Sequence, residues 1–172
     1  MTVSNKWQLS SLEYKIDFLL CPLLLAAGIA LGPFSLPQLV LGVLLWSLAE
    51  YTTHRFLFHR RFRKDHWAHH VAPTAYIGIS GIAIGIGYGT LLVPARLLGI
   101  TSVHAGFMLG YFAYLCVHYA IHRPRFRAKP LLRVLADNHA MHHQRGIEKN
   151  FGVTSPLWDV LLRTYAGGTP QP

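Results

Sequence analysis

Five histidines lie between residues 54 and 70, in the stretch HRFLFHRRFRKDHWAHH, and five more return between residues 118 and 143. The first set reads HxxxxH (His54, His59) and then HxxHH (His66, His69, His70). The second reads HxxxH (His118, His122) and then HxxHH (His139, His142, His143). Neutral imidazole is the commonest metal ligand in proteins. Residues three and four apart share a helix face, so each HxxHH triplet is expected to converge on one side of a helix, as is the pair His118 and His122. His54 and His59, five apart, align less well on an ideal α-helix, and the helix is expected to bend or tighten there. Ten imidazoles suffice for two metal ions with open or shared positions, so the pattern implies a dinuclear site. The eleventh, His104, stands about 21 Å from His118 along a helix rising 1.5 Å per residue, and is expected to be structural or interfacial.

The ligand count excludes several chemistries. A structural zinc site closes with four ligands and has no use for ten. Bis-histidine haem needs ligands facing each other from the middles of two helices, whereas these lie at helix ends and beyond. A metal transporter needs polar groups near the membrane midplane, where this chain has almost none. Oxygen activation at two metals remains; imidazole suits iron, zinc and copper alike, so ligand type leaves the metal's identity open. Metal-bound imidazoles usually donate their second N–H to a carboxylate or carbonyl. Glu50, four residues before His54 in an otherwise apolar run, is the leading supporting carboxylate. Asp65, Asp137 and Asp159 are further candidates for that role or for solvated or capping positions, and Asn138 is read likewise as a supporting residue or only a cap.

The elements that must hold these residues are apolar helices. Of 172 residues 52% are hydrophobic and only 13% charged, against about a quarter charged in ordinary soluble domains. The sequence therefore reads as an all-α integral membrane domain spanning residues 1–172, with about four transmembrane helices near 16–31, 36–58, 74–96 and 100–122 and a histidine-rich helical cap. The first run is not expected to be a cleaved signal, since Glu13 and Asp17 flank it and a Gly32-Pro33 turn leads into the next. Every Lys and Arg except Arg96 falls in the N-terminal tail, around the first histidine set, or after the fourth run. The positive-inside rule then places both termini and both histidine sets in the cytoplasm. The net charge of +9 is accounted for by that topology and by anionic head groups, and no nucleic-acid partner is expected.

Lesser features read as architecture. Cys21 and Cys116 lie in apolar runs without paired spacing and are expected to be packing residues. Gly81, Gly85 and Gly89 form a stripe that lets another helix approach. Pro94 is expected to end or kink its helix. Arg123, Arg125, Arg127, Lys129 and Arg133 mark topology and offer a secondary docking surface for an acidic electron carrier. Trp158, Leu161 and Leu162 suggest an amphipathic segment resting on the membrane or covering the metal site.

The four histidine boxes in this order, followed by NFGVTSPLWDVLLRTY from Asn150 to Tyr165, resemble the fatty acid hydroxylase and sterol desaturase family of membrane enzymes with two irons. The likeness runs from about His54 to Tyr165 and is closest to the fatty acid 2-hydroxylase branch, with carotenoid hydroxylases similar in size. It implies that the ten boxed histidines hold two irons, for which zinc can substitute. O2 is then reduced with electrons from a redox partner, and a lipid C–H bond is hydroxylated or desaturated. Fungal and animal 2-hydroxylases of this branch carry an N-terminal cytochrome b5 domain. About fifteen residues without a haem motif precede the first apolar run here, so a separate donor, cytochrome b5-like, ferredoxin or similar, is expected. A metal-binding protein that keeps the scaffold without catalysis is the alternative from another class. The sequence leaves the oligomeric state open.

Overall fold

The computed structural model describes residues 6–126, 129–144 and 148–167. They are helical, apart from turns and an isolated antiparallel bridge between Gln8 and Ile77. In chain order the helices are α1 (Ser11–Lys15), α2 (Asp17–Ala30), α3 (Leu36–Thr52), a π-helix (Thr53–Arg61), α4 (Arg63–Val71), α5 (Gly81–Leu97), α6 (Thr101–Ile121), a 3-10 turn (Pro124–Phe126), α7 (Pro130–His143) and α8 (Leu157–Leu161). The chain divides into two compact units, one of Met1–Trp46 with Ala75–Leu115 and one of Ser47–Thr74 with Cys116–Pro172.

The first unit is built by close helix packing. Ser10 and Glu13 form a reciprocal capping box at the start of α1, Ser10 Oγ accepting from the Glu13 amide at 3.2 Å and the Glu13 carboxylate from the Ser10 amide at 3.0 Å. This satisfies amides that a helix start leaves without partners. The Gly81, Gly85 and Gly89 face of α5 lies on α2 along Ile16 and Asp17, Leu20 and Leu24, so the stripe does let a neighbour approach. Gly42 of α3 and Gly106 of α6 likewise bring two backbones together, each standing where a Cβ would strike the other helix's carbonyls. Cys21, Trp46, Met108 and Tyr111 form the core, Cys21 as the packing residue foreseen, its thiol donating to the Met108 carbonyl at 3.1 Å. Asp17 is buried there and accepts from the Tyr111 hydroxyl at 2.8 Å.

Helices stand where all four apolar runs were read, but among the described residues none is long and apolar enough to cross a membrane. With 14 residues in α2 and 17 each in α3 and α5, these helices run about 21 to 26 Å, short of a hydrocarbon core of about 30 Å. The second run is cut at Thr52, where the polar residues from Thr53 onward wind as a π-helix instead. The third begins only at Gly81, because residues 74–80 turn and pair with the N-terminal segment, the Gly78 amide donating to the Trp7 carbonyl. Pro94 does not end α5, which continues to Leu97 before Gly99 at φ 69 reverses the chain. A left-handed φ of that kind suits glycine, which has no Cβ to clash.

The second unit holds the end of α3, the π-helix, α4, the end of α6, α7, and a C-terminal segment closed by α8. All ten boxed histidines belong to it.

Candidate metal centre

The spacing of the first box is met by an unusual helix. A π-helix closes each turn over five residues rather than four and occurs mostly at functional sites. Residues 53–61 adopt it, so His54 and His59 come onto one face. The helix widens at this point, where the sequence suggested a bend or a tightening.

The histidines gather into two groups whose ring nitrogens lie within 4.8 Å of one another. One holds His54, His59, His66, His70 and His142; the other holds His69, His122, His139 and His143. In the first, Nε2 of His66 lies 3.1 Å from those of His54 and His70, and Nε2 of His59 lies 3.0 Å from that of His142. In the second, His139 Nε2 lies 3.1 Å from His122 and 2.9 Å from His143. His118 adjoins the second group, at 3.1 Å from His69 and 3.2 Å from His122. A metal–nitrogen bond of about 2.1 Å sets neighbouring ligand nitrogens about 3 Å apart at right angles, so the convergence fits metal ligation.

Neither HxxHH box serves a single group, contrary to the simplest reading of the triplets. His66 and His70 of α4 face the five-histidine group while His69 faces the other; on α7, His139 and His143 stay together while His142 crosses over. Helix geometry explains the exchange. With 3.6 residues per turn, the fourth residue along falls about 40° to one side of the first and the third falls about 60° to the other.

Burial keeps these rings in their ligand form. It holds His66, His69, His139 and His142 well below the usual imidazole range, with the neighbouring imidazoles adding to the effect. Burial likewise takes His59 and His143 down to about 4 and His70 to about 2. Desolvation disfavours the cation, which leaves a lone pair for a metal.

The tail after the last box aims two of the rings. His54 Nδ1 meets the Phe151 carbonyl at 2.6 Å, and His142 Nδ1 meets the Lys149 carbonyl at 2.8 Å. Donation from Nδ1 leaves each Nε2 lone pair pointing into the group. Two buried carboxylates hold this segment. Asp159 accepts from the amides of Phe151 at 2.9 Å and Gly152 at 2.7 Å, and Glu50 accepts from those of Val153 at 2.5 Å and Thr154 at 2.9 Å. The Thr154 hydroxyl adds a bond to Glu50 at 2.6 Å. Four consecutive amides are thus satisfied by two side chains. Glu50, one turn before His54, thus grips the backbone just beyond Phe151.

Of the other candidates, Asp65 is half-buried in the first turn of α4, where a carboxylate complements the helix N-terminus. Asp137 is half-buried on α7, and the Asn138 carbonyl accepts from Asn150 Nδ2 at 3.3 Å. His104 is buried in the first unit, bonded through Nε2 to the Tyr88 carbonyl at 2.9 Å, which makes it structural. Replacing His104 with alanine is therefore expected to leave bound metal per chain unchanged and to lower stability by about 1 kcal/mol, read by metal analysis and chemical denaturation of one preparation. Arg123 lies with its guanidinium 3.4 Å from the centre of the Tyr119 ring; Arg125, Lys129 and Arg133 are exposed, and Arg127 lies outside the described residues. Trp158 donates to Ser47 at 3.1 Å, while Leu161 and Leu162 are exposed.

Sequence reasoning missed Asn150, Tyr51 and Thr164. Asn150 is wholly buried at φ 56 and joins its side chain to Ala166 in both directions, at 3.0 and 2.7 Å. Arg55 donates to the Tyr51 hydroxyl at 2.6 Å, that hydroxyl lies 2.9 Å from Thr164 Oγ1, and Thr164 donates to Asp159 at 2.7 Å. The signal for Asn150 and Thr164 lay in the NFGVTSPLWDVLLRTY phrase, which contains both, whereas Tyr51 lies outside it.

The family model for fatty acid hydroxylases matches residues 39–164. A dihydroceramide fatty acyl 2-hydroxylase of Arabidopsis thaliana is 35% identical over 144 residues, covering 73% of this chain and 59% of that protein. A human fatty acid 2-hydroxylase is 32% identical over 151 residues, covering 77% of this chain and 40% of its own length. The chain thus spans about half the length of the relatives it matches. The structure of full-length scs7p, in which only the hydroxylase domain is visible, shares the fold with a TM-score of 0.69 at 23% identity, over 96% of this chain and 71% of that one. With a family match running from α3 through the histidine boxes to Thr164, the chain belongs to the fatty acid hydroxylase family.

Proposed function

We propose that this protein is a membrane hydroxylase that uses two irons and O2 to insert a hydroxyl group into a fatty acyl chain. The observation that carries the proposal is the pair of adjacent histidine groups within a fatty acid hydroxylase domain. The relatives named as acyl 2-hydroxylases favour an acyl chain, free or in a ceramide-type lipid, as substrate. Two irons, when bound, supply the activation of O2. In balance, one O2, two electrons and two protons convert C–H into C–OH and water.

The chain's own residues do the rest. The five-histidine and four-histidine groups each offer more than the three ligands a metal needs to be held with room for a further partner, and His118 lies beside the second. Burial keeps the rings neutral and water scarce, and the Lys149 and Phe151 carbonyls fix the orientation of His142 and His54.

A lipid setting suits the first unit. Leu19, Leu23, Val40, Leu44, Ile86 and Val93 of α2, α3 and α5 all stand outward, between 48% and 65% exposed. Apolar surface so extensive marks an interaction with membrane or protein. Helices of this length fit a lipid-embedded domain by tilting little and letting the bilayer thin. The distribution of Lys and Arg favours the cytoplasmic side for both histidine sets.

The test is lipid mass spectrometry under 18O2 on cells producing the intact protein or its His142→Ala variant. A hydroxylated lipid carrying one 18O atom with the intact protein alone is the expected result. Iron-loaded protein that yields no such lipid with a working reductant overturns the proposal.

A further inference from the structure

Helix α4 has two contrasting faces. His66 and His70 point into the five-histidine group, while Arg63, Lys64, Trp67 and Val71, on the adjoining flank, are all exposed. Arg60 and Arg61, at the end of the π-helix, are exposed as well. The acidic groups nearby in sequence or contact are Asp65, half-buried on the same helix, and Glu148, whose carboxylate lies 4.0 Å from the Arg60 guanidinium. An indole 39% exposed within a basic rim is an unusual surface. This indole also lies parallel to the His70 imidazole, with ring centres 5.5 Å apart and planes 12° from parallel. Trp67 therefore joins solvent to a candidate ligand by one continuous pair of aromatic rings.

We propose that Trp67 is where an acidic one-electron carrier protein delivers electrons to the five-histidine group; this rests on the hydroxylase reading above. Electron transfer falls steeply with separation, so a path of stacked rings ending at a ligand is favoured over one through aliphatic side chains. Arg60, Arg61, Arg63 and Lys64 steer a negatively charged surface onto the indole, an attraction that salt screens. In each encounter the carrier loses one electron and is oxidised, and the ion held by His70 and its partners gains it. Two encounters supply the two electrons that hydroxylation consumes. An anionic lipid surface would attract the same cations, but it has no need of an indole stacked on a ligand imidazole.

The experiment uses the intact protein in discs of neutral lipid, with the soluble haem domain of cytochrome b5 as the acidic carrier. Binding is measured first on metal-free protein. The parent is expected to bind more weakly as salt rises, and the Arg63→Glu, Lys64→Glu double variant to lose about tenfold in affinity at low salt. Iron-loaded protein then gives two rates, oxidation of the reduced carrier and reduction by dithionite through a small viologen mediator. Trp67→Leu is expected to lower the ratio of the first rate to the second severalfold, and Trp67→Phe to restore it. Were Trp67 only to orient His70, both rates would fall together and the ratio would hold, which overturns the proposal. A double variant that loses binding to phosphatidylserine vesicles while keeping the carrier overturns it too. Failure of the hydroxylase reading shows separately, as carrier oxidation or dithionite reduction without any hydroxylated lipid.

Discussion

His142→Ala should release about half of the bound metal and abolish hydroxylation, because that ring is the one member of the five-histidine group that α7 supplies. Its Nε2 lies 3.0 Å from that of His59 while its Nδ1 is fixed by the Lys149 carbonyl at 2.8 Å. Alanine removes a ligand and leaves the Lys149 carbonyl without its donor, so two losses fall on one group. The four-histidine group keeps all its members, and one ion per chain should remain. His143→Ala should spare the five-histidine group instead. Metal analysis of the purified variants checks both, and two ions retained in either would show that the remaining rings of its group are enough to hold an ion.

Asp159→Ala carries the second large effect, although the side chain is not assigned as a ligand. Its carboxylate is wholly buried and accepts from two amides and the Thr164 hydroxyl. Without it three buried donors are stranded, at about 1 to 3 kcal/mol each before relaxation. The segment that presents the Phe151 carbonyl to His54 loosens, and metal affinity should fall by about 10- to 100-fold, the range found when an outer partner of a ligating histidine is lost. Asp159→Asn has the same shape but turns one acceptor into a donor facing another donor, so it should show a smaller loss of the same kind. Zinc titration of the metal-free variants and thermal unfolding with and without zinc would read it. Wild-type affinity in both variants would leave Asp159 a purely structural brace.

Much of this site could be read from residue spacing. The grouping of ten histidines into four boxes, the distance of His104 from them and the glycine stripe of α5 could be read from spacing along the chain, which is a local property. What did not follow depends on elements meeting. The exchange of His69 and His142 between groups requires α4 and α7 to lie side by side, and no count along one helix shows that. The pairing of Glu50 with the amides of Val153 and Thr154 spans more than a hundred residues of sequence. Hydropathy overstated the helices for a related reason: residues 74–80 are apolar enough to extend α5, yet their backbone groups are taken up by the N-terminal segment. The π-helix was hidden because nothing in Thr53–Arg61 forbids an ordinary α-helix; only the need to bring His54 and His59 to one point selects the wider turn.

Each histidine group takes members from both ends of its unit's sequence, four from residues 54–70 and one from α7 in one case, one from α4 and three from residues 122–143 in the other. An ion held by His59 and His142 therefore ties the chain across 83 residues, much as a disulfide would. By the loop-closure argument such a tie removes about 4.5 kcal/mol of unfolded-state freedom. During synthesis, then, the first histidine set would lack His142 until α7 has left the ribosome, which would make completion of the five-histidine group a late event.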